Sequence, residues 1–173
     1  MLSWGQLKER RPELASAGHK LLYQFGVGLA YLSTTRRDGG PRVHPMCPII
    51  VDDLLVGLIV PGPKMNDLIR DGRYAMHSFA AEQNEDAFYI TGRAIELLEP
   101  DFRRRVEAQF ISERSISEYP PGIHEQRLFR FDIEVCLHTT TTGQGDPFPR
   151  HTVYRYGDAS TSTKATGCER PPA

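Results

Sequence analysis

The sequence predicts a mainly β domain with peripheral α-helices, its strands antiparallel and closed into a barrel. Three observations carry that expectation. Short apolar runs succeed one another between Leu29 and Tyr156, most of them bounded by Asp, Gly or Pro, the punctuation of hairpin turns. Arg127–His138 alternates Phe129, Phe131, Ile133, Val135 and Leu137 with Arg130, Asp132 and Glu134, the pattern of a strand with one buried and one solvated face. Helical periodicity is confined to the N-terminus and two short segments between strands. About six strands this short favour a barrel over an open sheet.

The elements follow in order. Ser3 and Gln6 form a capping-box pair that starts a first helix. Pro12 interrupts that helix or starts the next, because proline suits a first helical turn and not an interior. Leu14, Ala17, Leu21 and Leu22 then recur at helical spacing. Leu29–Thr34 and Arg42–Val51 read as strands joined by the turn Asp38-Gly39-Gly40-Pro41. Asp52-Asp53 turns the chain into Leu54–Val60, which has no alternation and so is expected to be buried on both faces. Pro61-Gly62-Pro63 breaks that strand, and Lys64–Asp71 is a short helix. Arg73–Phe79 and Ala87–Leu98 are strands, with Gly92 marking a bulge or a close backbone approach. Asp101–Ser112 is helical, with Phe102, Val106 and Phe110 on one face and Arg103-Arg104-Arg105 expected on the solvated side. His151–Tyr156 is a last short strand. Residues 1–156 are thus the expected domain, and residues 157–173, rich in Ser, Thr, Gly and Pro, an expected loose tail.

Composition excludes several classes. With 173 residues the chain makes one domain able to bury about two-thirds of its unfolded surface without a metal or disulfide. Lys plus Arg number 21 against 22 Asp plus Glu, a balance that argues against a general nucleic-acid binder. No apolar run approaches the length of a membrane span, and Met1–Arg11 has no signal-peptide core. The three cysteines, Cys47, Cys136 and Cys168, are widely spaced without a Cys-x-x-Cys, which points to a reduced, cytoplasmic setting and against structural zinc.

The residues that carry chemistry are grouped in three segments. Arg42-Val43-His44-Pro45-Met46-Cys47-Pro48 holds two prolines, which remove ladder N–H donors and belong on an edge or beside a ligand. Pro61-Gly62-Pro63-Lys64 is a turn running into a helix with a lysine in its first turn, an arrangement that suits a phosphate. Arg70-Asp71-Gly72-Arg73 leads into the next strand.

Together these segments resemble the pyridoxamine 5′-phosphate oxidase-like superfamily of FMN-binding split barrels, in particular its actinobacterial flavin- and deazaflavin-dependent oxidoreductase branch. The resemblance covers roughly Leu21 to Arg155. It rests on the hairpin, R-V-H-P, and P-x-P-K-x-x-D-L-x-R-D-x-R; Thr91-Gly92-Arg93-Ala94 matches the strand that follows. It implies a six-stranded antiparallel split β-barrel and a homodimer, with FMN or the deazaflavin F420 in a cleft between subunits and hydride transfer to a small molecule. By the same carry-over, Arg42 and Lys64 would contact the cofactor phosphate, Val43, His44, Pro45 and Met46 would lie along the ring system, and Val60 and Pro61 would flank the phosphate through their main chain. Two positions depart from the pattern: Gly62 stands where the family often has Arg or Ser, and Ala87 where the oxidase itself has glutamine. The matched motifs do not identify a vitamin B6 substrate, so that oxidase activity is not carried over.

Two further functions remain open. Split barrels of this kind also take haem, for which His44, His77 and His124 are candidate axial ligands. A cofactor-sequestering protein without turnover is the other. Each candidate has a plainer role: a strand histidine bonded to a carbonyl, a solvated helix-start lysine, a cross-strand ion pair for Arg42. Lysine at a helix start runs against the macrodipole, which favours an anion beside Lys64. Cys47 has no adjacent base that would mark it as a nucleophile. No residue is singled out as a general acid.

Overall fold

The computed structural model describes residues 1–117 and 121–158. The expected tail beyond residue 158, Cys168, and Tyr119-Pro120 lie outside the described residues.

Two helices open the chain. Helix α1 (Trp4–Arg10) begins at the expected capping box: Gln6 N donates to Ser3 Oγ at 3.2 Å and Ser3 N to Gln6 Oε1 at 3.0 Å. Pro12 is the first residue of α2 (Pro12–Leu22), where its missing N–H costs nothing. Leu14, Leu21 and Leu22 of α2 are buried with Trp4 and Leu7 of α1 against the barrel.

The remaining elements are β1 (Ala30–Thr35), β2 (Pro41–Met46), β3 (Ile49–Val51), β4 (Leu54–Ile59), α3 (Pro63–Arg70), β5 (Arg73–Ser78), β6 (Ala87–Leu97), α4 (Pro100–Arg114), β7 (Arg127–Thr140) and β8 (Arg150–Arg155). All eight strands belong to one antiparallel sheet, ordered β2-β1-β5-β6-β7-β4-β3, with β8 paired to β7 off that path. Eight strands are two more than the sequence led us to expect. The expected strand Arg42–Val51 is divided at Cys47-Pro48 into β2 and β3, which stand at opposite ends of the hydrogen-bonded order. Because only two residues join them, the ends of the path are neighbours in space and the sheet closes as a barrel. β8 is the last short strand expected at His151–Tyr156, and it takes the edge of β7 beyond the part used by β4.

Register assigns the two faces of the sheet. Ala30, Leu32, Thr34, Tyr74, Met76, Phe88 and Ile90 point inward and are buried. Tyr31, His77, Tyr89 and Leu137 stand in one cross-strand row on the outer face, and Ser33, Ala75, Thr91 and Val135 in the next. Val135 and Leu137 were expected on the buried face and are not there. Thr91 pairs with Val135 but Gly92 pairs with Ile133, so Glu134 is the extra residue of a bulge. One inserted residue reverses the facing of everything after it, which turns Val135 and Leu137 outward and buries Cys136 completely. Gly92 is the partner that permits it, since a Cβ there would lie 1.9 Å from the Asp132 carbonyl oxygen.

Helix α4 packs Phe102 and Val106 on Ile49, Val51, Val56 and Leu128 in a second core cluster. Arg103 departs from its expected solvated placement. It donates to Glu107 Oε1 (2.7 Å) and to the carbonyl oxygens of Gln126 (2.7 Å) and Ile123 (2.8 Å), tying α4 to the turn before β7. Arg104 and Arg105 are on the exposed side. Among the described residues, no helix is long and apolar enough to cross a membrane.

Candidate functional site

The three segments singled out in the sequence meet where α3 lies across β2. The knot of that seam is Asp67, a buried carboxylate on α3. It accepts from Arg42 Nε of β2 at 2.8 Å, from Thr34 Oγ1 of β1 at 3.0 Å and from Arg70 Nη1 of its own helix at 3.1 Å. Burial pushes the Asp67 carboxyl up, but these donors outweigh it and hold the group below the usual carboxylate range. Arg70 also donates to the Thr35 carbonyl. Arg42 therefore pairs with a helix carboxylate and not with a residue across the hairpin.

Arg42 lines an open cavity of about 520 Å³ together with Arg36, Arg37 and Asp38 of the β1–β2 turn and Pro63, Asn66 and Asp67 of α3. Three guanidinium-bearing side chains face two carboxylates there. Arg36 is engaged by Asp38, whereas Arg37 has no ion-pair partner among the described residues. The cavity thus carries a net positive charge beside the start of a helix whose N-cap, Gly62, offers no side-chain hydrogen bond. Such a place is chemically suited to an anion.

Lys64 is on the same helix, one turn before Asp67. Among the described residues its Nζ reaches only the Pro45 carbonyl oxygen, at 3.4 Å. Burial pushes its ammonium down from the ordinary lysine value, partly offset by Cys47 nearby. A half-buried ammonium with one long acceptor is poorly satisfied and gains from an anionic neighbour. Gly62 has φ 152°, an extended left-handed-side conformation that L side chains rarely adopt, and no atom lies within 4 Å of where a Cβ would be. The absence of a side chain at Gly62 thus leaves open space before Lys64.

The β2 residues divide by burial. Val43 is 60% exposed, and His44 and Pro45 are exposed as well, on a strand that ends the hydrogen-bonded path. Met46 is in the core, where its Cε abuts Gly57 of β4. Val60 and Pro61 are exposed at the turn before α3. His44 pairs with Leu32 and His77 with Tyr31, so the two imidazoles stand on opposite faces of the sheet. His77 Nδ1 lies 2.6 Å from the Ser78 carbonyl oxygen, which makes Nδ1–H the donor of this bond and leaves Nε2 for another partner. His124 belongs to the 3₁₀ turn Ile123–Glu125 held by Arg103. The three histidines therefore do not form one ligand set. Among the described residues, no group of three or more His, Cys, Asp or Glu side chains is placed to hold a metal ion.

Asp67, Arg36 and Arg37 are site residues that sequence reasoning did not single out. Asp67 lies inside the quoted P-x-P-K-x-x-D motif, and its helical spacing from Lys64 was the available signal. The Arg36-Arg37 pair was visible in the hairpin turn, but only the fold carries that turn against α3.

Comparison with solved structures decides the architecture. A pyridoxamine 5′-phosphate oxidase-related, FMN-binding protein from Nostoc punctiforme superposes with TM-score 0.58 at 14% identity, covering 86% of this chain and 91% of that one. The chain has the fold of these solved structures, an antiparallel split barrel. A haem-binding protein from Mycobacterium smegmatis shares this split barrel with TM-score 0.61 at 12% identity, over 81% of this chain but only 57% of that one. A solved F420 reductase shares it with TM-score 0.52 at 16% identity, over 61% of this chain and 85% of that one. No protein-family model matches the chain, and no curated protein is significantly similar to it in sequence. An FMN-binding protein, a haem-binding protein and an F420 reductase thus share this fold.

Proposed function

We propose that this protein is an oxidoreductase that binds FMN or F420 along β2 and α3 and transfers a hydride between that cofactor and a small molecule. The observation that carries the reading is the cavity between the β1–β2 turn and α3, where Arg36, Arg37 and Arg42 converge beside the helix start. The residues fit a phosphate-bearing group. Arg42 is held in place by Asp67, and Lys64 is a partly desolvated cation without a counter-charge in contact. The two family side chains absent at Gly62 and Ala87 would each contribute roughly 1.5–3 kcal/mol as charge-assisted bonds, and the additional arginines of the hairpin turn offset that loss.

When bound, the cofactor ring supplies the hydride chemistry; the protein supplies binding and orientation. Arg42, Arg36, Arg37 and Lys64 hold the anionic end. The exposed backbone and side chains of Val43, His44 and Pro45 flank the ring, and Val60 and Pro61 line the approach to the phosphate. Met46 acts from behind, packing β2 onto β4. The uncovered outer face that begins at Val43 and Tyr31 serves a homodimer with a cofactor cleft at its interface.

A second reading, haem binding, is favoured by one observation: His77, at an exposed strand position, is oriented through Nδ1 by a backbone carbonyl, which leaves Nε2 as the nitrogen that could meet iron. Titration of the apo-protein with FMN, F420 and haemin separates the readings. The proposal expects saturable binding of FMN or F420 with a shifted flavin or deazaflavin band, followed by reduction of an acceptor. A Soret band with haemin and no response to the other two would overturn it. Tight flavin binding with no reduction of any acceptor would instead assign sequestration.

A further inference from the structure

We infer that the protein has a second small-molecule site, outside the β2–α3 seam, that takes an apolar organic carboxylate. It is a cavity of about 490 Å³ between α1, α2 and the β3–β4 turn, of a size usual for small-molecule sites. Its apolar wall is formed by Trp4, on α1, and Ile50, on β3. Its rim is cationic: Lys8 and Lys20 line it, with His19 beside them. Asp53 is the one carboxylate in the lining. It faces Lys8 at 4.0 Å with both side chains about two-thirds exposed (68% and 69%), a solvent-screened pair that a ligand carboxylate easily displaces. Lys20 has no ion-pair partner among the described residues.

The walls are set before any ligand arrives. The His19 ring stacks on Tyr23 at 4.8 Å and 5°. Tyr23 is in turn held by the Ile50 N–H, which donates to its hydroxyl at 2.9 Å, and by Glu113, to which it donates at 3.3 Å. One tie thus joins a rim residue, His19, to a wall residue, Ile50, through Tyr23. A preformed apolar cavity with two available ammonium groups on its rim gains by desolvating an apolar body while leaving a carboxylate at the positive edge. None of these residues belongs to the flavin-type site, so the two assignments stand or fall separately.

Trp4 is the only tryptophan of the chain, so one indole N–H signal reports on this cavity. The experiment titrates 1-naphthoate into the ¹⁵N-labelled full-length chain and follows that signal. The expected result is a saturable one-to-one shift. 1-Naphthalenemethanol, the neutral counterpart, is expected to bind about tenfold more weakly, as is naphthoate to Lys20→Glu, a substitution at an exposed helix position. An indole signal that does not move, equal affinity for the neutral probe, or unchanged naphthoate affinity in a folded Lys20→Glu would each overturn the assignment. Lys8→Glu, on the other helix, repeats the charge test should Lys20→Glu not fold.

Discussion

Arg42 and Asp67 are joined at 2.8 Å between an edge strand and a helix, and this pair holds α3 against β2 where the candidate site is formed. Replacing Asp67 by Asn removes the negative charge and turns one of the two oxygens shared by Arg42, Arg70 and the Thr34 hydroxyl into a donor. Breaking a buried pair costs several kcal/mol when both charges are enclosed, but the two arginine side chains are 30% and 38% exposed, so the expected loss is about 2 kcal/mol. The sign with pH follows from the lowered Asp67 value. Its stabilisation is complete above the unfolded carboxyl value, about 3.9, and is lost as pH falls through the lower folded value. Urea unfolding near neutrality should thus separate the two proteins, and the gap should close in strong acid. A gap that stays constant with pH would remove the ion pair from the explanation.

Lys64→Ala tests the phosphate assignment. The side chain is half-exposed and makes one long contact, so its removal should leave the thermal midpoint nearly unchanged. FMN affinity should fall about tenfold or more, while riboflavin, which lacks the phosphate, should bind the variant and the parent alike. Because burial lowers the Lys64 value, the ammonium is lost earlier than that of an ordinary lysine as pH rises. FMN affinity is therefore expected to decline on the alkaline side in the parent and not in the variant. Equal losses for FMN and riboflavin would show a packing role in place of a charge role.

Gly92→Ala should be among the most damaging single substitutions in the barrel. The new methyl group would sit 1.9 Å from a backbone oxygen of β7, and backbone cannot move aside as a side-chain tip can. A loss of more than about 3 kcal/mol, or failure to fold, is expected. Near-native stability in denaturant titration would mean that β6 and β7 do not pair in this register.

The same bulge shows where the sequence was legible and where it was not. Gly92 was readable as a break in regularity, but which strand takes the extra residue depends on the partner, and that residue is Glu134. A simple alternation from Phe129 to Leu137 therefore placed Val135 and Leu137 on the wrong face. Local signals did better: the Ser3–Gln6 capping box, Pro12 at a helix start and the punctuation around β4 are set by residues within one turn of each other. Arg103 failed for the opposite reason. Its run of three arginines is solvated by composition, yet its two carbonyl acceptors lie twenty or more residues away in sequence. In the candidate site, Arg42 and Lys64 were legible from the motif; Asp67, Arg36 and Arg37 needed the contact between a hairpin turn and a helix.

The proposed homodimer gives the remaining prediction. Register sets Tyr31, His77, Tyr89 and Leu137 in a row across four strands on the outer face, with Pro45 of β2 continuing it. Val43 is 60% and Tyr31 44% exposed, and the Tyr31 ring packs on Phe79 with centroids 4.3 Å apart, so the patch is apolar, ordered and uncovered. An exposed apolar face of this kind is costly in water unless a partner covers it. A second copy would cover it and would also bring its own surface to the exposed Val43, His44 and Pro45 of the candidate site. Tyr31→Arg places a charge at the centre of the row and should convert the protein to monomer in light scattering behind a sizing column. FMN or F420 binding should weaken with it although Tyr31 is outside the arginine cavity. Val43→Arg should reproduce the dissociation from the neighbouring strand. A monomeric parent protein, or a Tyr31→Arg dimer with undiminished cofactor affinity, would place the whole site within one chain.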